Sequence, residues 1–206
     1  MRVLSAAQQR FLADGYAGTK MADIAAAAGV AIASVYRAGR SKSDLIQTLL
    51  EMAITGRDPA ERPQDAQGGR PTLATLSPPS YPQIAANPDP DDQVRMIADR
   101  LCEVLERVGP LWSVVRDAAA VDPGAAEAMR VASDRRGEAF SVAVGLLPEE
   151  RLRGGSDECI DSLWALSSPE LYLELRVSRG WSPERFRDWQ RRTLALQLLT
   201  PPATET

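Results

Sequence analysis

Any chemistry in this 206-residue chain is done without histidine. That removes the commonest general base and the commonest metal ligand. Cys102 and Cys159 lie too far apart for a C-x-x-C site and read as buried structural thiols rather than a redox pair. There is no P-loop, no G-x-G-x-x-G and no H-E-x-x-H. No nucleophile stands at a workable spacing from a base, so neither an enzyme nor a metal or cofactor site is expected. What remains is charge. Residues 1–57 hold Arg2, Arg10, Lys20, Arg37, Arg40, Lys42 and Arg57 against Asp14, Asp23, Asp44 and Glu51, while the whole chain carries a net charge of −4. A basic head on an acidic remainder fits a small DNA-binding module attached to something else; chance scatter of surface charge is the plain alternative.

The basic residues flank one stretch, Met21 to Arg37. Ile24, Ala25 and Ala28 give a first short helix one apolar side, Gly29 can take the left-handed conformation that ends it, and Val30 and Val35 begin a second apolar set. Two short helices joined by a glycine turn predict a helix-turn-helix, whose second helix enters a DNA major groove; an ordinary corner of an all-helical domain has the same pattern.

The other elements follow from apolar spacing and breakers. Leu4, Ala7 and Phe11, widened by Val3 and Leu12, predict a first helix over 2–14, stopped at Gly15, with Tyr16 folding back onto its core. Thr19 is the expected N-cap of the second helix, and Asp23 suits its first turn. Ser41 caps a fourth helix, with Asp44 in the capping-box position and Leu45, Ile46, Leu49, Leu50, Met52 and Ala53 as its apolar face to about Gly56. Residues 57–90 hold eight of the fifteen prolines and read as a linker or long loop, with a short helix near 81–86.

Beyond it, Val94, Ile97, Leu101, Val104, Leu105 and Val108 form an amphipathic stripe, with Asp91–Arg95, Arg95–Asp99 and Glu103–Arg107 as i, i+4 pairs opposite. Gly109-Pro110 predicts a break before a helix over 111–120, and Asp122-Pro123 begins one reaching Leu147. Helices starting at Ser156, Pro169 and Pro183 complete the chain, the last with Phe186, Trp189, Leu194, Leu196, Leu198 and Leu199 as its apolar positions. The expected fold is all-α: a head over 1–56, a Pro-rich segment over 57–90 and a helical body over 91–206. No apolar run approaches the ~20 residues that span a bilayer. Met-Arg-Val-Leu-Ser enters a helix at once without a signal-peptide layout, so a cytoplasmic protein is expected.

With the head laid out, the chain resembles the tetracycline-repressor (TetR) family of transcriptional regulators. The likeness is carried by Phe11-Leu-Ala-Asp-Gly-Tyr16, Thr19, Asp23-Ile-Ala25, Ala28-Gly-Val30, Val35-Tyr36 and Ser41-Lys-Ser-Asp-Leu45. Glu103 to Ala120, Leu163 to Tyr172 and Arg179 to Phe186 also look like an actinobacterial-type subgroup. The resemblance implies a homodimeric repressor on a palindromic operator in double-stranded DNA, released when a small molecule enters the C-terminal domain. It implies a dimer face over 156–177 and 183–199.

Carried over position by position, Thr19, Lys20 and Lys42 face phosphate. Ala31, Ile32, Ala33 and Ser34 form the front of the recognition helix, Tyr36 reaches a phosphate or thymine methyl, and Arg37 adds to base readout. Trp112, Val115, Arg116, Phe140, Trp164 and Tyr172 become ligand-site candidates, with plain core packing as the alternative for the aromatics and a surface ion pair for Arg116. Two departures weigh on the reading. No side chain from 31 to 34 can make a bidentate contact to guanine or adenine. Gly39 stands where the family usually has an aromatic, which removes a core anchor. Weakened DNA selectivity follows, so a helical ligand-binding or interaction protein of the same fold is the alternative function.

Overall fold

The computed structural model describes residues 2–57 and 81–201. Among them it is all-α, in ten α-helices: α1 Arg2–Gly18, α2 Met21–Ala28, α3 Ile32–Ala38, α4 Lys42–Thr55, α5 Tyr81–Ala85, α6 Pro90–Ala119, α7 Pro123–Val144, α8 Ser156–Leu166, α9 Pro169–Leu173 and α10 Pro183–Leu198, with a 3₁₀ turn over Glu149–Arg151 and a π-helical turn, Glu174–Ser178, that continues α9. The only strand-like pairing among these residues is an isolated bridge between Leu152 and Leu199. Most of the proline-rich segment expected over 57–90 lies outside the described residues; its last part is α5 and the turn into α6.

The described residues fall into two compact units. The first joins α1–α4 to Arg107–Ser133, the end of α6 and the start of α7. The second holds α5, the rest of α6 and α7, and α8–α10.

In the first unit, Leu4, Ala7, Phe11, Tyr16, Ile24, Val35, Leu45, Ile46, Leu49 and Leu50 are buried, as their spacing predicted. The rings of Phe11 and Tyr16 stack with centroids 5.7 Å apart. Leu12, expected to widen the α1 stripe, is 45 % exposed. Gly15 interrupts α1 at φ 71°, ψ 173°, a conformation that favours glycine, and one further turn continues to Gly18. That extra turn moves the start of α2. Lys20, not Thr19, is its N-cap, and the Lys20 N–H donates to the Asp23 carboxylate at 3.1 Å. Ser41 does cap α4, accepting the Asp44 N–H at 3.0 Å. The Asp44 carboxylate takes the Arg40 N–H rather than that of Ser41.

The second unit is built on two clusters. Val94, Ile97, Phe140, Val144, Cys159, Leu163, Leu194 and Leu198 belong to the larger one. Cys102, Leu105, Tyr172 and Phe186 form the smaller. α9 and α10 begin at Pro169 and Pro183, as expected, and are capped by Ser168 and Ser182.

Two expectations fail in α6. The predicted break at Gly109-Pro110 is absent, and α6 runs through Pro110 as one helix of 30 residues. A proline removes one backbone hydrogen bond and crowds the preceding turn. Here Val108, Leu111 and Trp112 are buried on both sides of it, and that burial outweighs the lost bond. The i, i+4 pairs are also superseded. Asp91 pairs with Arg151 at 3.2 Å, and Asp99 binds Arg191 through two hydrogen bonds of 2.6 and 2.8 Å. Arg107 donates to the Ala53 carbonyl at 2.8 Å. Arg191 of α10 holds Asp99 in a two-bond fork, a stronger arrangement than an exposed pair along one helix, while Arg95 and Glu103 take i, i+3 partners within α6, Asp92 and Arg100.

Candidate nucleic-acid interface

The turn between α2 and α3 closes as its sequence requires. Gly29 adopts φ 62°, ψ 42° and donates its N–H to Ala26 O at 3.1 Å, while Val30 N–H reaches Ala25 O at 3.1 Å. This pair of bonds is a Schellman stop, and glycine holds its left-handed position without strain. The Arg2 guanidinium reaches Ala28 O at 2.9 Å and satisfies another terminal carbonyl. The axes of α2 and α3 are bent by 106°, within the range of a DNA-binding helix-turn-helix.

Val35 anchors α3 and is its buried residue. The opposite face stands in solvent: Ala31, Ala33 and Arg37 are exposed, Ser34 is half-buried, and Ile32 and Tyr36 are 45 % and 49 % exposed. An apolar face of this kind can touch thymine methyls but offers little hydrogen bonding. Its guanidinium, Arg37, donates to Ser34 Oγ at 2.9 Å. Lys20 is exposed at the start of α2. Thr19 is buried, and its hydroxyl donates back to Gly15 O at 2.8 Å. Its side chain therefore serves the kink in α1.

Lys42 opens α4. Its Nζ donates to the Tyr16 carbonyl at 2.6 Å and lies 4.3 Å from the centroid of the Tyr16 ring. The Tyr16 hydroxyl in turn donates to Oδ2 of Asp122, the residue before α7. The other oxygen of Asp122 accepts the N–H groups of Gly124 and Ala125 at 2.8 and 3.3 Å. No sequence spacing signals this meeting of residues 106 apart. The Asp122-Pro123 step marked a helix start, not the tyrosine it would receive.

The Tyr16 hydrogen bond, with those two N–H groups, holds the Asp122 carboxyl below the usual carboxylate range. Burial, then the bond to Asp122, pushes the Tyr16 hydroxyl well above the phenol range. A depressed carboxyl contributes stability that is complete above its unfolded value and is lost as pH falls through its folded one. A raised phenol contributes stability that is complete below its unfolded value and is lost as pH rises towards its folded one. Tyr16→Phe is therefore expected to lower stability by about 1 kcal/mol between roughly pH 5 and 9, and by less below about pH 4. Urea midpoints of both proteins across that range check this. A difference that stays flat from pH 3 to 8 would remove Asp122 as the partner.

The six ligand-site candidates are divided between the two units. Trp112 and Val115 are buried in the first unit, and Arg116 is exposed there. Phe140 and Trp164 meet in the second unit, edge to face at 6.4 Å. Arg136 lies 4.0 Å from the Trp164 ring centroid and 5.4 Å from that of Phe140. Trp164 remains 40 % exposed. Tyr172 packs edge to face on Phe186 at 5.1 Å, in the smaller cluster. No sequence spacing signals Arg136, whose place over two rings comes from α7 and α8 packing together. Among the described residues no group of histidine, cysteine, aspartate and glutamate is arranged to hold a metal ion, and no single helix is long and apolar enough to cross a membrane.

Residues 3–49 match the family model for bacterial regulatory proteins of the tetR family. No curated protein sequence matches the chain. Among solved structures, similarity extends over the whole length. A protein from Saccharomonospora viridis, described as a transcriptional regulator and solved in complex with choline, is 16 % identical, with TM-score 0.66 and 97 % of each chain covered. PfmR, a TetR family transcriptional regulator from Thermus thermophilus, is 17 % identical, with TM-score 0.61 and 96 % of this chain and 94 % of the other covered. The transcriptional regulator FadR from Bacillus subtilis, in complex with stearoyl-CoA, is 11 % identical, with TM-score 0.61, covering 96 % of this chain and 97 % of the other. At these identities the likeness is one of fold.

Proposed function

We propose that this chain, whose residues 3–49 match the family model for bacterial regulatory proteins of the tetR family, is a cytoplasmic, homodimeric repressor. It binds a palindromic operator through α3 and leaves it when a small molecule occupies the C-terminal region. In this reading residues 1–56 bind DNA, 57–90 link, and 91–206 bind ligand and dimerise, with no enzymatic activity. The observation that carries it is α3 itself. It is held at 106° to α2 by a Schellman stop, anchored by Val35, and presents Ile32, Tyr36 and Arg37 to solvent between Lys20 and Lys42.

Lys20 and Lys42 are the phosphate contacts; Ala31, Ile32, Ala33, Ser34, Tyr36 and Arg37 face the groove. Thr19 acts at the edge of this set through the backbone it holds. Exposed apolar groups on the last helices, Trp164, Val177 and Leu196, support a dimer face over 156–177 and 183–199. The choline and stearoyl-CoA complexes of two structural neighbours support a small-molecule effector. Phe140, Trp164 and Arg136 are the favoured wall of its site, ahead of Trp112, Val115, Arg116 and Tyr172.

Lys42→Ala is expected to weaken binding to any duplex and to flatten the dependence of log affinity on log salt by about one unit. Fluorescence anisotropy across a salt series reads both, and an unchanged slope would remove Lys42 from the interface. Light scattering at micromolar concentration tests the dimer, which a monomer would sink.

One observation favours the second reading, a helical ligand-binding or interaction protein with weakened specific DNA binding. The front of α3 is apolar, and Arg37 is engaged by Ser34. Gel shifts on DNA flanking its own coding region separate the two, since a nanomolar, sequence-specific site at physiological salt excludes the second.

A further inference from the structure

The amine of Lys42 does not reach freely into solvent. It is seated on Tyr16 by a 2.6 Å hydrogen bond to the carbonyl and by the ring face 4.3 Å away. A lysine chain has four rotatable carbons, and fixing it at the moment of binding costs affinity. Seating it beforehand removes that cost only if the seat is rigid. On one side the Tyr16 ring stacks on the fully buried Phe11. On the other its hydroxyl is bound by Asp122, whose second oxygen is locked to the first N–H groups of α7. The same corner leaves no space for α4 to move closer: a Cβ on Gly124 would lie 2.7 Å from Ser43 Oγ, next to Lys42. At its other end α4 is held by Arg107, through the Ala53 carbonyl. Both ends of α4 are thus fastened to the segment 107–133, within one compact unit.

We propose that Asp122 is a positioning residue for the Lys42 amine, acting through Tyr16. The hydroxyl–carboxylate bond fixes the ring, the ring and its carbonyl fix the amine, and the amine meets phosphate already in place. The last step rests on the DNA-binding reading above; the first two do not. Breaking the tie leaves the charge of Lys42 intact but sets it free to wander. The consequence is a loss of affinity that depends on Lys42 being present.

Binding of a fluorescein-labelled random-sequence duplex of about 30 base pairs tests this with no operator in hand. Tyr16→Phe changes no charge and keeps the stacked ring. It is expected to weaken binding about three- to tenfold in the natural background and to have no further effect in the Lys42→Ala background. Independent, additive losses, or no loss from Tyr16→Phe, would overturn the proposal, because a merely structural role adds.

A second readout needs no DNA. The chain has only two lysines, Lys20 and Lys42, so reductive ¹³C-methylation gives a resonance for each beside that of the terminal amine. Ring-current shifting sets the Lys42 signal apart, and both Tyr16→Phe and Asp122→Asn are expected to move it towards that of Lys20. A signal unmoved in both variants would refute the positioning role. If the wild-type protein binds no duplex while the signal moves as expected, the DNA reading fails and the positioning role stands.

Discussion

Gly39→Phe, which puts an aromatic where the resemblance to the TetR family led one to be expected, is expected to destabilise the head by about 2–3 kcal/mol and to weaken DNA binding with it. Backbone conformation is not the obstacle. Gly39 sits at φ −165°, ψ 131°, extended backbone that any residue adopts. Space is. A Cβ at this position would lie 2.8 Å from Leu45 Cδ2, 2.9 Å from its Cγ and 3.2 Å from its backbone nitrogen. Leu45 is fully buried and begins the apolar face of α4, so it cannot swing aside without opening the core behind it. The Gly39 N–H also closes α3 on Val35 O at 3.0 Å, so a shift here tilts α3 itself. Chemical denaturation of Gly39→Phe, Leu45→Ala and the double variant checks the argument. If the ring and Leu45 compete for one space, the double variant loses clearly less than the two single losses added together. A Gly39→Phe protein as stable as the wild type would mean that the anchor was simply missing.

That competition shows why the head was legible from its residues while one of its departures was misread. A glycine where an aromatic is usual looks like a lost anchor when positions are read one by one. In the folded chain the volume beside Gly39 is taken by Leu45, six residues on. The helix-turn-helix frame needed only local information: Ile24, Ala25, Ala28 and Val35 on one side, a left-handed glycine between, and Ser41 as a cap. Thr19 went the other way, because the extra turn after Gly15 moved the cap by one residue and buried the hydroxyl. The seat of Lys42 was beyond local reading altogether, since Asp122 and Tyr16 meet only through packing.

In the second unit, hydrophobic type and burial part company along α10. Its buried residues are Phe186, Gln190, Leu194 and Leu198, a single ridge at four-residue spacing. A reading by residue type chose Leu196 and overlooked Gln190. The structure leaves Leu196 68 % exposed and Gln190 fully buried. The period was legible; the polar member of the ridge was not, because a glutamine joins a core only if both ends of its amide find partners. Those partners, Cys102 on α6 and Ser167 after α8, come from distant parts of the chain.

Gln190→Ala is therefore expected to cost about 3 kcal/mol, and Gln190→Leu about 1–2 kcal/mol, although leucine is the more hydrophobic residue on a buried ridge. The amide nitrogen donates to Ser167 Oγ at 3.0 Å, and the amide oxygen accepts the Cys102 thiol at 3.0 Å. Either change leaves a buried thiol and a buried hydroxyl without these partners, and alanine adds a cavity. The helix cannot move to close it, because Arg191 grips Asp99 with two bonds and Arg187 meets Glu106 at 3.1 Å along the same seam. Cys102 supplies the specific readout. Burial pushes its thiol up to about 12, so it stays protonated and unreactive near neutral pH. Cys159 is buried as well, which makes the starting rate of thiol labelling low for the whole protein. Gln190→Ala should shift the urea midpoint and speed labelling of Cys102 in native buffer. A Gln190→Leu protein as stable as the wild type, with Cys102 labelled no faster, would mean that the amide bridge contributes nothing and that the ridge is held by its apolar members alone.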